Sequence, residues 1–131
     1  MLFRSNKKVN AIGGLTFGAD PIALSIGIAS QHENPAATTT PLQVFTVRKA
    51  VKEHGRQKRI EGNFSSGDSV VVVDDVITTG GSTIQAIDAI EEAGGHVAFV
   101  LVLVDRQEGG RENIEKRGPK VVSIFTRADL N

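Results

Sequence analysis

At 131 residues, with 40% hydrophobic and 23% charged side chains, the chain has the size and composition of one globular domain with a real core, and lacks the signature of disorder. Fifteen basic and fifteen acidic residues cancel, so no global field draws it toward nucleic acid or an anionic membrane. Without cysteine there are no disulfides or thiolate metal sites, the longest apolar runs are too short to span a bilayer, and Met1 to Lys8 lack the apolar stretch of a secretion signal, so a cytoplasmic protein is expected.

Short β-branched runs alternate with helical patterns along the chain, which predicts an α/β fold with a mainly parallel central sheet of about five strands flanked by helices, residues 1–131 forming one domain. A strand over Val9 to Ile12 meets Gly13-Gly14. Asp20-Pro21 then offers an N-cap followed by proline at the first helical position, predicting a helix to about Ser30. Gln31 to Pro41 is polar, with three consecutive threonines, and reads as a connection to a strand at Leu42 to Val47. Arg48 to Glu61 is the most charged segment and lacks clear periodicity, so a surface loop or hairpin is expected. The apolar run Val70 to Val73 suits a strand covered on both faces. Ile84, Ile87, Ile90 and Ala93 recur at near-helical spacing, Gly94-Gly95 supplies a left-handed cap, and Val97 to Val104 begins the next strand. Arg111 to Arg117 makes a short helix, and Val121 to Phe125 a last strand.

Asp74 and Asp75 follow the apolar run, where loops at the carboxyl ends of parallel strands hold ligands. Two adjacent carboxylates can accept hydrogen bonds from a sugar diol and attract a cation carried by a polyphosphate. Thr78-Thr79-Gly80-Gly81-Ser82-Thr83 then offers small residues, hydroxyls and backbone amides at the positive end of a helix, where a phosphate dianion is stabilised. The Gly-Lys-Ser/Thr ending of a nucleotide P-loop and the Gly-x-Gly-x-x-Gly fingerprint are both missing. An isolated Asp-Asp or Thr-Thr-Gly-Gly is commonly a polar turn and helix cap. The uninterrupted order of apolar strand, paired acids, glycine-threonine loop and helix start argues for a phosphorylated ribose.

The whole string, Val70-Val-Val-Val-Asp-Asp-Val-Ile-Thr-Thr-Gly-Gly-Ser82, resembles the signature of type I phosphoribosyltransferases, and its surroundings resemble orotate phosphoribosyltransferases over most of the chain. The resemblance implies that the phosphoribosyl pyrophosphate donor is held by Asp74, Asp75, Val76, Ile77, Thr78, Thr79, Gly80, Gly81 and Ser82. In that scheme the two aspartates take the ribose hydroxyls, Thr78 to Ser82 the 5-phosphate, and Thr78 also approaches orotate. Val47-Arg-Lys-Ala-Val-Lys-Glu-His-Gly55 resembles the family's flexible catalytic loop, which implies that Arg48, Lys49, Lys52 and His54 grip pyrophosphate and that the protein is a homodimer with a shared site. Cations there would stabilise a leaving group that gains charge as the C1–O bond breaks, with Lys52 the main contributor. Mg²⁺ would arrive on the donor, with no direct protein ligand.

Val104-Asp105-Arg106 ends the following strand, and by resemblance Arg106 binds orotate; its planar guanidinium suits a carboxylate that purine bases lack. A surface arginine at a strand end is otherwise common. Gly13 to Pro21 resembles the family's first pyrophosphate loop; Thr16-Phe17 stand where some relatives have lysine, leaving backbone amides as the donors. His32 and His96 have no companions suggesting a metal site. The family's N-terminal hood over the base has little counterpart in Met1 to Lys8. The activity implied is transfer of the phosphoribosyl group to orotate; the rivals are a non-catalytic donor-binding regulatory module, another base specificity, and a nucleic-acid regulator disfavoured by the lack of Tyr, Trp and net positive charge.

Overall fold

The computed structural model describes residues 9–32, 41–49 and 59–130. Lys52 and His54, with most of the charged segment after Lys49, lie outside the described residues.

In chain order the elements are β1 (Ala11–Gly13), α1 (Asp20–His32), β2 (Gln43–Val47), β3 (Ile60–Gly62), β4 (Ser69–Ile77), α2 (Gly81–Glu92), β5 (His96–Asp105), α3 (Gly110–Glu115), β6 (Lys120–Thr126) and a 3₁₀ turn at Arg127–Leu130. The six strands lie in the order β3-β2-β1-β4-β5-β6, and all neighbours are parallel except β2 and β3. Five strands are those expected. The sixth, β3, pairs Thr46 with Glu61 and Val47 with Ile60 antiparallel at the sheet edge, so the end of the charged segment joins the sheet beside β2. Three residues within a charged run carry no periodic signal; β3 is defined by its ladder partners.

Strand alternation sorts the apolar side chains onto two faces. Val71 and Val73 pack with Ile12, Ala19, Ala23 and Leu101 under α1, while Val70 and Val72 pack with Ile87, Ile90, Val100, Val102 and Ile114 under α2 and α3. Burial of the valines of β4 on both faces explains their unbroken run. Helix α2 ends as a Schellman motif: Gly94 adopts φ +88°, its amide donates to Glu91, and the Gly95 amide donates to the Ile90 carbonyl. Toward β6 the α1 side of the sheet is less covered, and Leu103, Val122 and Ile124 are exposed.

Two local expectations need correction. Strand β4 does not stop before the acids but continues to Ile77, because β5 keeps pairing with it as far as Ile77 opposite Asp105. Asp20 begins α1 as expected, yet its carboxylate oxygens accept the hydroxyls of Thr16 and Thr46 at 2.6 and 2.7 Å. It therefore ties the β1–α1 loop to β2.

Candidate active site

Because the sheet is mostly parallel, Gly13, Val47, Ile77 and Asp105 end their strands at one edge, and the loops after β1, β4 and β5 gather there. Asp74 and Asp75 sit inside the extended strand, so alternation sends their side chains to opposite faces. Asp74 is only 5% exposed and turns toward the start of α2, where one oxygen accepts the Ser82 and Thr83 hydroxyls at 2.8 and 3.0 Å and the other accepts the Asp75 amide at 2.9 Å. Burial raises its carboxyl above the ordinary aspartate range, and the neighbouring Asp75 adds to the rise, while the Ser82 and Thr83 hydroxyls pull it back. Asp75 is exposed on the other face beside the β1–α1 loop. A Cβ built on Gly18 would lie 2.7 Å from an Asp75 oxygen and 3.1 Å from an Asp74 oxygen, so bare backbone is what lets this loop rest on the pair.

The β1–α1 loop has fewer free donors than its sequence suggests. The Thr16 amide donates to Val47, that of Ala19 to Leu15 and that of Asp20 to Phe17. The amides of Phe17 and Gly18 make no backbone bond among the described residues, and Gly18 is the one against the carboxylates.

After β4, Thr78 and Thr79 are exposed, Gly80 takes φ +89°, and α2 begins at Gly81. Its first intrahelical bond runs from the Ile84 amide to the Gly80 carbonyl, so the amides of Gly81, Ser82 and Thr83 have no helical acceptor. They stand at a helix start with its partial positive charge, where an anion is stabilised. The Ser82 hydroxyl gives its proton to Asp74, so its contribution to an anion would come from the backbone amide. Val76 is exposed and Ile77 is buried in the core under α2; neither offers a polar side chain.

Arg106 follows Asp105 directly, and its amide donates to the Ile77 carbonyl at 3.1 Å, which sets it beside the start of the Thr78–Ser82 turn. Its guanidinium lies 3.2 Å from Glu108 in an exposed pair. The buried Asp105 accepts the Gln107 amide and lies 3.6 Å from Arg111, whose guanidinium also donates to the Val121 carbonyl and the Ser123 hydroxyl. These bonds secure the loop that carries Arg106. Arg48 stands at the end of β2 and is held by Glu61 of β3 at 2.9 Å; Lys49 next to it is exposed. The structure thus gathers Asp74, Asp75, Thr78 to Ser82 and Arg106 along the ends of β4 and β5, with Arg48 and Lys49 two strands away. Sequence reasoning missed Gly18, Glu108, Arg111 and Asn113 as neighbours of this site; only the glycine lay in a loop already singled out.

Residues 20–128 match the phosphoribosyl transferase domain family. The chain belongs to that family. The orotate phosphoribosyltransferase of Aquifex aeolicus (strain VF5) is 46% identical over 121 residues, covering 92% of this chain and 63% of that protein. A crystal structure of Mycobacterium tuberculosis H37Rv orotate phosphoribosyltransferase in complex with 5-phospho-alpha-D-ribosyl 1-diphosphate superposes with a TM-score of 0.77 at 36% identity, covering 96% of this chain and 68% of that one. A phosphoribosyltransferase from Corynebacterium diphtheriae gives a TM-score of 0.78 at 38% identity, covering 95% of this chain and 68% of the other. The chain therefore spans about two thirds of the length of such relatives or somewhat less.

Proposed function

We propose that the chain is the core domain of an orotate phosphoribosyltransferase, transferring the phosphoribosyl group from Mg²⁺-bound 5-phosphoribosyl 1-pyrophosphate to N1 of orotate and releasing orotidine 5-phosphate and pyrophosphate. The observation that carries this reading is the meeting of an exposed Asp75 carboxylate, a helix-start phosphate turn and an arginine on the adjoining strand end, in a chain similar to orotate phosphoribosyltransferases.

In this mechanism the amides of Gly81 to Thr83, with the Thr78 and Thr79 hydroxyls, hold the 5-phosphate. Asp75 accepts the ribose hydroxyls. Asp74 fixes the turn through Ser82 and Thr83 and offers its remaining acceptor capacity to the sugar. Arg106 exchanges Glu108 for the orotate carboxylate, a bidentate partner of matching shape. The Gly18 amide and the cations Arg48, Lys49, Lys52 and His54 receive the pyrophosphate, with Lys52 the chief stabiliser of the departing charge. In this reading Mg²⁺ arrives with the donor, carried by its pyrophosphate. Positioning and charge stabilisation are the protein's tasks, and no protein nucleophile takes part. A homodimer sharing its sites, by analogy with the resembled loop, and a cytoplasmic location belong to the same reading; among the described residues no helix is long and apolar enough to cross a membrane.

The test mixes the protein with Mg²⁺, orotate and the donor and follows loss of orotate absorbance. Turnover is expected, and it should fall by about 10²-fold or more in Lys52→Ala. Activity no higher than in that variant contradicts the assignment. Donor binding without turnover would leave a donor-binding module in place of the enzyme.

A further inference from the structure

The phosphate turn does not stand alone, for it leans on the third helix at three points. The Asn113 side-chain amide donates to the Thr79 carbonyl at 2.9 Å. Gly110 sits so close that a Cβ there would lie 2.6 Å from the Thr78 carbonyl oxygen and 3.3 Å from the Gly80 nitrogen. Ile114, fully buried, would meet a Cβ on Gly80 at 3.1 Å. The carbonyls of Thr78 and Thr79 are therefore both drawn toward α3.

Peptide geometry gives this contact a consequence. A trans peptide points its C=O and N–H in opposite directions, so fixing the Thr79 carbonyl fixes the plane it shares with the Gly80 amide. Gly80, at φ +89°, is a residue with little steric resistance to a flip of that plane. A flip would turn a carbonyl dipole toward the space in front of α2, where it would repel a phosphate dianion and compete for the free amides of Gly81 to Thr83. The hydrogen bond from Asn113 opposes that flip from outside the site.

We infer that Asn113 is a positioning residue for anion binding: it keeps the Thr79–Gly80 peptide in the orientation that leaves the start of α2 open to phosphate, without itself touching the ligand. The inference rests on the reading of the 78–83 turn as a phosphate site but is independent of the base or of catalysis. Asn113 is exposed, so its side chain contributes little packing to the core.

Ribose 5-phosphate is titrated calorimetrically into the full chain, Asn113→Ala, Asn113→Gln and Arg117→Ala. The last removes the Arg117–Asp88 pair that joins the end of α3 to α2, and does not touch the Thr79 carbonyl. The affinity of Asn113→Ala is expected to fall about three- to tenfold, the loss of one hydrogen bond's orienting effect, at an unchanged melting temperature of the free protein. Asn113→Gln, which keeps the amide donor, should recover part of the loss, and Arg117→Ala should bind as the parent does. Equal binding by the parent and Asn113→Ala overturns the inference, as does an equal loss in Arg117→Ala, which would show that general docking of α3 is what matters. If Asn113→Ala melts early, the comparison passes to Asn113→Gln and the near-isosteric, uncharged Asn113→Leu: tighter binding by the glutamine form than by the leucine form supports the role, and equal binding by the two removes it. A parent chain that does not bind ribose 5-phosphate removes the phosphate-site reading and this inference together.

Discussion

Asp74 and Asp75 share a sequence position in all but one step, yet strand alternation gives them different physics. Asp74 has exchanged water for two hydroxyls and one amide, and desolvation still leaves its carboxyl raised. A carboxylate whose folded pKa lies above its unfolded one costs stability when ionised; that cost is present above the raised value and disappears as pH falls through it toward the ordinary aspartate range. Asp74→Asn should therefore melt higher than the parent at neutral pH. The difference should shrink as pH is lowered through that window, which thermal melts at a series of pH values would show. A lower melting temperature at neutral pH would mean that the hydroxyl bonds to the carboxylate outweigh its burial.

At the scale of elements, the loop after β5 owes its shape to Arg111, which joins the buried Asp105 to the backbone and Ser123 of β6. Arg111→Met keeps much of the side chain's bulk and removes these bonds, leaving Asp105 short of its cation in a buried place. The expected loss is about 1–3 kcal/mol, measured by urea unfolding. Under the proposed function, orotate affinity should weaken as well, because Arg106 is carried by the same loop. The elements also differ in how far the sequence reveals them. Val70 to Val73 announces β4 by its unbroken apolar run, because both faces are covered, but the run ends where the ligand edge begins; Asp74, Asp75 and the exposed Val76 interrupt the pattern while the backbone ladder to β5 continues. The edge strand β3 exists through pairing with Thr46 and Val47, a nonlocal cause that a charged local sequence does not display. Helix α2 is legible at both ends, from its apolar spacing and from Gly94-Gly95. Asn113 is one polar residue in a six-residue helix, and its partner lies 34 positions away, so nothing local marks it.

Over the whole molecule, the order β3-β2-β1-β4-β5-β6 sets the β1 loop and the β5 end on either side of the β4 turn, so one end of the sheet receives contributions from segments far apart in the chain. That arrangement was readable in outline, since alternating strands and helices imply a parallel sheet and parallel sheets collect their loops at one edge. The division of labour within it was not, because whether a carboxylate faces a helix start or open solvent depends on the strand's true length. Under the proposed function, this edge holds a phosphorylated ribose with Asp75 on its hydroxyls. That claim is tested most directly by calorimetric titration of Mg²⁺-bound phosphoribosyl pyrophosphate into the parent chain and Asp75→Asn. Saturable one-site binding by the parent, weakened about 10- to 100-fold in the variant as expected for loss of charge-assisted hydrogen bonds, is the predicted result; equal affinities, or no binding by the parent, would contradict it.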